Sequence, residues 1–218
     1  MRNLLLLFLF LALAASLSGC AATPGPVSEA TPTQVEEVPA PALSSPGTLG
    51  KPLTPEQQLV QDILKKNGFS QKGLTPTVIV VNKLSRRLTL YRHLTPLKTY
   101  PIVLGADPYN DKLCQGDHCT PEGVYRIVSK YPHHKWSRFI LLDYPNQQNW
   151  LKFAKAKKSG KLPPQVDIGG QVGIHGTEDD SKNLRGENWT KGCISLLNQH
   201  VEELYSQIND DTLVIIKK

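Results

Sequence analysis

The pattern of apolar positions divides this chain of 218 residues into three unlike parts. Leu4 to Leu13 is an almost unbroken apolar run behind Arg2, too short to span a bilayer as a permanent helix, and it reads as the core of an export signal. Residues 21–53 are rich in Pro, Ala, Thr, Ser and Glu, with almost no large apolar side chains. Such a segment cannot bury enough surface to offset its chain entropy, so a disordered tether is predicted there. From residue 54 onward apolar positions recur with structural periods, and that length suits one domain with a single core.

Thr54-Pro55-Glu56-Gln57 predicts a helix start, with Thr as N-cap, Pro in the first turn and Gln closing a capping box. Leu59, Val60, Ile63 and Leu64 follow at helical spacing, and Gly68 supplies the stop. At Thr77 the period changes. Val78–Val81 predicts a strand, Ser85-Arg86-Arg87 a turn, and Leu88–Tyr91 a second strand. Pro96 predicts a turn before a third strand over Leu97–Leu104 that ends at Gly105. Further strands are predicted over Gly123–Val128, Phe139–Leu142, Gln171–His175 and Thr212–Ile216. Asn146–Lys158 predicts a helix with Trp150, Leu151, Phe153 and Ala154 inward, and Asn198 predicts the N-cap of a helix running to Ile208. The fold expected is mainly β, with short helices at its edges.

Charge and cysteine usage narrow the function. Lys and Arg number 25 against 19 Asp and Glu, a formal charge of +6, which favours an anionic partner such as cell wall or lipid head groups. Lys152, Lys155, Lys157, Lys158 and Lys161 form a basic stretch, either a solvated helix face or an attractor of wall carboxylates. No interleaved aromatic and basic motif points to nucleic acid. The apolar run ends in Leu17-Ser18-Gly19-Cys20, which resembles the lipobox of bacterial lipoproteins, whose cysteine carries the lipid. Cys20 is therefore the expected lipidation site, and Ala21, not Asp, follows it, which points to the periplasmic face of an outer membrane. Cys114 and Cys119 are close enough to close a small disulfide ring in an oxidising compartment. A zinc site drawn from Cys114, Cys119, His118, His133 and His134 is the alternative, although the spacing fits no common structural pattern.

Cys193 is then left unpaired. An odd thiol in an exported protein is a candidate reagent. It lies in Trp189-Thr190-Lys191-Gly192-Cys193-Ile194-Ser195-Leu196, eighteen residues after His175 in Ile174-His175-Gly176. An ordinary thiol is mostly protonated at neutral pH, and an imidazole can take its proton and return it to a leaving amine. His175 is thus expected as general base and acid, and the Gly176 carbonyl as the group that orients it. Backbone amides at Gly192 and Cys193 are expected to face a developing oxyanion. Thr190 and Trp189 are expected to contact substrate. The competing reading makes His175 a hydrogen-bonded loop residue and Cys193 a small buried hydrophobe.

These motifs resemble those of the L,D-transpeptidase catalytic domain, the YkuD-type domain of bacterial cell-wall enzymes. Its signature is a His-Gly, a loop, then Ser/Thr-x-Gly-Cys and Ile or Val, matched by His175-Gly176 and Thr190-Lys191-Gly192-Cys193-Ile194. A second block matches as well: Thr99-Tyr100-Pro101-Ile102 leading to Gly105, then Lys112, Gly116-Asp117 and Thr120-Pro121-Glu122-Gly123-Val124-Tyr125. The resemblance implies a β-sandwich-like domain with short peripheral helices. It implies a cysteine nucleophile that acylates on the third residue of a peptidoglycan tetrapeptide stem, expels D-alanine, and passes the acyl group to an amine of another stem, giving a 3→3 cross-link, or to a lysine of a wall-anchored lipoprotein. No metal or cofactor is implied, and a monomer is expected.

Two departures stand out. Lys191 replaces a histidine common before the Gly-Cys, and Ser195 replaces an arginine common two residues after the cysteine. Trp-Thr-x-Gly-Cys-Ile is closer to a subgroup that includes an amidase releasing lipoprotein from the wall. Hydrolysis in the same site is therefore the second expectation. A catalytically inactive wall-binding lipoprotein is the third. The organisation expected is a lipoprotein signal over 1–19, a lipidated Cys20 with its tether over 20–53, a helical prefix over 54–75 and the catalytic domain over 76–218.

Overall fold

The structure, a computed structural model, describes residues 52–69 and 76–218. The export signal, Cys20 and nearly all of the tether lie outside the described residues. The prefix forms helix α1, Pro55–Lys66, closed by the expected capping box between Thr54 and Gln57. Val60 and Leu64 are its buried residues, packed with Val78, Val80, Tyr91, Leu213 and Ile215. Each such burial contributes about 1.5–3 kcal/mol. Tyr91 adds a hydrogen bond to Glu56 at 2.7 Å, so the prefix is tied to the sheet by a polar as well as an apolar contact.

Eight strands follow: β1 (Thr77–Asn82), β2 (Arg87–Arg92), β3 (Thr95–Pro101), β4 (Gly123–His133), β5 (Ser137–Leu142), β6 (Gly173–His175), β7 (Ile194–Ser195) and β8 (Leu213–Lys217). They form a half-barrel sheet in the order β3-β2-β1-β8-β4-β5-β6-β7. Pairing is antiparallel except for β1 with β8 and β6 with β7. The continuous apolar runs of β1 and β8 reflect burial on both faces. Val78, Val80, Leu213 and Ile215 face α1, whereas Ile79, Val81, Val214 and Ile216 enter the main core with Tyr100, Tyr125, Ile140, Ile174 and Ile194. β4 pairs with β8 over Gly123–Arg126 and with β5 from Ile127 onward, and its ladder shifts register between Ile127 and Ser129.

Three expected details are corrected. Pro96 lies inside β3, with the turn at His93-Leu94, and β3 ends at Pro101. Proline is tolerated there because β3 is an edge strand. Helix α2, Gln147–Lys158, buries Asn149, Phe153 and Ala156, while Trp150 and Leu151 are half exposed or more. Asn149 turns inward because its amide caps the helix start and donates to the Tyr125 hydroxyl at 3.0 Å. The helix before β8, Asn198–Gln207, begins after Leu197 as N-cap with no side-chain cap bond. Asn198 instead clamps Thr177, accepting from its amide and donating to its carbonyl at 2.9 Å each. The chain also contains a short helix, Asp180–Leu184, that the apolar pattern does not reveal.

Between β3 and β4 the chain runs over the site. Lys83, fully buried, anchors this stretch by donating to Asn110 O, Thr120 O and Glu122 Oε1 at 2.7, 3.0 and 2.9 Å. Val103 and Gly105 form isolated bridges to Ser195 and Thr190, which joins the β3 exit to the segment around Cys193. Asn188 reinforces the join by accepting from the Leu104 amide and from Arg86.

Candidate active site

His175 is the last residue of β6 and is 1% exposed. Its ring lies against Trp136, with centroids 4.3 Å apart and planes 22° from parallel, and against Phe139 at 5.5 Å. Trp189 meets it edge-on at 5.6 Å. This aromatic enclosure pushes the imidazole down to about 4 by burial, against the opposing pull of the Gly176 carbonyl, with nearby His133 pushing the same way as burial. His175 is therefore neutral at pH 7. Its Nδ1 lies 2.7 Å from Gly176 O. A carbonyl can only accept, so Nδ1 carries the proton and Nε2 holds the lone pair. The absence of a side chain at Gly176 is required: a Cβ there would clash with Asn198 Oδ1 and stand 2.6 Å from Trp136 O.

Cys193 immediately precedes β7. The parallel register pairs Ile174 with Ile194 and His175 with Ser195. Side chains alternate across a strand, so Cys193 and His175 belong to one face of this ladder and the buried Ile174 and Ile194 to the other. Cys193 is partly exposed and lines a groove of about 300 Å³. The groove is lined by Lys112, Gln115, His118, Gly169 to Val172, Lys191 and Cys193. Gln115 N donates to Asp167 O at 2.8 Å, which ties the 113–119 loop to the segment before Gly169. Burial pushes the thiol up to about 11, opposed by the Gly173 backbone and by the positive charge of Lys112. The thiol hydrogen-bonds to Gln171 O at 3.6 Å rather than to the imidazole. The resting pair is thus a neutral thiol and a neutral imidazole.

This geometry sits on a half-barrel sheet whose residues can be compared with known families. The family model of the L,D-transpeptidase catalytic domain, YkuD, matches residues 76–216. The chain belongs to this family. The YkuD protein of Bacillus licheniformis is 30% identical over 149 residues, which is 68% of this chain and 70% of that protein. Among solved structures, the helical cell shape determining protein Pgp2 of Campylobacter jejuni superposes with a TM-score of 0.51 at 20% identity, covering 73% of this chain. Bd1075 of Bdellovibrio bacteriovorus gives 0.47 at 19% identity over 68% of this chain. The match spans 56% of the Pgp2 chain, and at 20% identity that likeness is one of fold.

Within this L,D-transpeptidase domain several expected roles change. The Gly192 amide does not face the groove as an oxyanion donor, because it donates to Thr190 Oγ1 at 3.1 Å. Thr190 is itself buried, and its hydroxyl donates to Cys193 O at 2.7 Å. Both residues brace the cysteine turn and do not reach toward substrate. Trp189 is partly exposed, but its indole N–H donates to Asn183 Oδ1 at 2.9 Å and its ring edge meets His175, so it walls the imidazole. Cys114 and Cys119 are free thiols, and the expected ring is not formed. Asp117 explains the geometry: it accepts from the amides of Leu113, Cys114 and Cys119, and the Cys119 thiol turns to Asp117 O at 3.3 Å. The alternative zinc set is dispersed, with His133 and His134 stacked outside Trp136, and among the described residues no three such side chains converge.

Other site residues carry no role readable in the sequence. Trp136 sits in the β4–β5 turn, where no periodicity marks it. Asn183 lies in the unpredicted short helix and links Trp189 to Ser195, donating to Ser195 Oγ at 2.9 Å. Lys112 and Asp117 belong to the block shared with the family, which gives neither a role. Their ion pair, at 2.7 Å with the lysine side chain 4% exposed, becomes visible only in the fold.

Proposed function

We propose that this chain is a cysteine-dependent L,D-transpeptidase acting on peptidoglycan tetrapeptide stems, with a role in cell-wall organisation and cell shape. The observation that carries the reading is a groove lined by Cys193, on the same ladder face as a neutral imidazole whose Nδ1 is fixed by Gly176 O. Cys193 is the nucleophile. Its side chain turns from Gln171 O toward His175, the Sγ proton passes to Nε2, and sulfur attacks the carbonyl carbon of the third stem residue. The Cys193 backbone amide is the donor left for the oxyanion once Gly192 is committed to Thr190. The C–N bond then breaks, Nε2 returns its proton to the departing D-alanine amine, and a thioester remains.

An acceptor amine resolves the thioester. It attacks the acyl carbon, gives up a proton to Nε2, and the C–S bond breaks with return of that proton to sulfur. An amine of a second stem gives a 3→3 cross-link; a lysine of a wall-anchored lipoprotein would attach protein. We further propose an exported form lipidated on Cys20 and held at the periplasmic face of the outer membrane, on the strength of Leu17-Ser18-Gly19-Cys20-Ala21. Two acyl chains on one residue suffice for stable anchoring.

Incubation with purified disaccharide-tetrapeptide tests the chemistry by product mass. A cross-linked dimer formed with loss of D-alanine, abolished by Cys193→Ala, is expected. D-alanine release without dimer would replace transfer by hydrolysis. No acyl adduct on Cys193 and no product would leave only an inactive wall-binding domain. Metabolic labelling with a fatty acid, lost in Cys20→Ala, is expected for the anchor.

A further inference from the structure

The groove around Cys193 holds a buried charge that the acyl-transfer steps above do not use. Lys112 Nζ donates to Asp117 Oδ1 at 2.7 Å and to Cys114 O at 3.1 Å. An ammonium has three donors, so these two bonds fix its position and leave a third. Its Nζ lies 3.6 Å from where a Cβ on Gly192 would stand, beside the residue that precedes the nucleophile. The side chain also lines the groove together with Cys193.

Asp117 does not simply cancel this charge. Its carboxylate also accepts from the amides of Leu113, Cys114 and Cys119 at 2.7–3.0 Å. Burial works to raise this carboxyl, yet the Lys112 bond and the three amides outweigh it and hold it below the usual carboxylate range. The negative end of the pair is thus dispersed into the 113–119 loop, while the positive end is directed at the cysteine turn. In a site of low dielectric, such an oriented pair acts more strongly than the same charges in water.

We propose that Lys112, oriented by Asp117, is the fixed positive charge that stabilises the Cys193 thiolate and the negative charge that passes from sulfur to the substrate carbonyl oxygen. This assignment rests on Cys193 being the nucleophile. Asp117 is a positioning residue, acting through Lys112. The other titratable groups around the cysteine turn do not supply this charge. His175 is neutral, the Cys119 thiol is pushed up to about 12 by burial with Asp117 and Asp107 adding to it, and Cys114 is likewise raised by burial first and Asp117 second. His118 borders the groove, and Lys191 is exposed to water, where its field is screened. Lys112 is the charged side chain that works against the burial of Cys193.

The test is the pH profile of Cys193 alkylation by neutral iodoacetamide, read at that residue by peptide mass. Lys112→Met is expected to move the midpoint up by about one pH unit and to slow alkylation about tenfold below it. Lys112→Arg, which keeps the charge, is expected to restore most of the rate. An unmoved midpoint in a folded Lys112→Met protein would mean that the ion pair merely staples the loop. Should Lys112→Met fail to fold, the unaltered protein still decides. Anionic iodoacetate, compared with iodoacetamide and referenced to a free thiol, is expected to gain about threefold or more at Cys193, and to keep that gain at about 0.5 M salt, because a buried charge is poorly screened. No gain, or a gain erased by salt, overturns the assignment. Neither readout needs a stem peptide. A Lys112-dependent midpoint without tetrapeptide turnover would therefore sink the transpeptidase reading and leave this one standing.

Discussion

Ser195 and His175 donate to the same oxygen: Ser195 Oγ lies 2.9 Å and His175 Nδ1 2.7 Å from the Gly176 carbonyl. The serine stands where many family members carry arginine, and it does the fixing with a short relay. Trp189 donates to Asn183, Asn183 to Ser195, and Ser195 to Gly176 O. A carbonyl pinned by two donors cannot swing away from the imidazole, so the tautomer that leaves Nε2 basic is maintained. Ser195→Ala removes one donor and strands the Asn183 amide. The expected cost is about 1 kcal/mol of stability in urea titration, with slower acylation of Cys193 and an unchanged fold. Ser195→Thr should recover the acylation rate, and equal rates in Ser195→Ala and the parent would show that the relay is idle.

Stability should fall as the solution is acidified through the range where His175 titrates only when unfolded. The ordinary imidazole value is 6.5, and burial lowers it in the fold to about 4. Between these values the unfolded chain binds the proton and the native one does not, so stability rises with pH across this window. The full penalty is present below the folded value, and it vanishes above the unfolded one. Its size is about 3 kcal/mol if the whole shift is realised. Chemical denaturation at pH 7.5 and pH 4.5 measures it. His175→Gln should flatten this part of the profile; a profile of the same steepness in that variant would assign the acid sensitivity to other groups.

The frame of this domain was legible because its signals are local. The capping box at Thr54 and Gln57, and the double-sided apolar runs of β1 and β8, depend on near neighbours along the chain. The errors arose where a distant partner decided the outcome. Asn149 faces inward because Tyr125 waits for its amide, and so Trp150 and Leu151 point outward. Asn198 leaves the cap position for Thr177, twenty-one residues away. In the candidate site, His175 and Cys193 stand in glycine-marked motifs, but an odd cysteine count does not single out Cys193, because Cys114 and Cys119 are free as well. Trp136, Asn183 and the Lys112–Asp117 pair could not be placed, since each acts through a contact made by the tertiary fold.

Gly192 tests how tightly the cysteine turn is built. Its φ of +135° is a conformation that L side chains rarely adopt, and a Cβ there would stand 2.7 Å from Cys119 O. Both penalties apply to Gly192→Ala, and backbone strain of this kind alone costs about 1–3 kcal/mol. The expected result is a destabilised protein whose Cys193 alkylates at an altered rate, because the Gly192–Thr190 bond that braces the turn is displaced. Thermal unfolding and peptide mass measure the two effects. Parent-like values in both would show that the loop carrying Cys119 yields without resistance.

Lys83 is the strongest candidate for a purely architectural control of the site. Its ammonium is buried, and its three bonds to Asn110 O, Thr120 O and Glu122 Oε1 hold both ends of the segment that contains Lys112 and Asp117. Lys83→Met keeps the aliphatic bulk but leaves two carbonyls and a partly buried carboxylate without their donor. Removing one partner of a buried ion pair costs about 3–5 kcal/mol, and the 26% exposure of the Glu122 side chain puts the expectation at the lower end. Hydrogen exchange should rise selectively over residues 110–122, ahead of β1 and β8, because the segment loses its anchor while the sheet keeps its ladder. Cys193 alkylation should then lose part of the advantage attributed to Lys112, although Lys83 does not line the groove. Uniform acceleration of exchange across the whole domain would instead mean that Lys83 supports the core as a unit, and that the loop has no separate stability to lose.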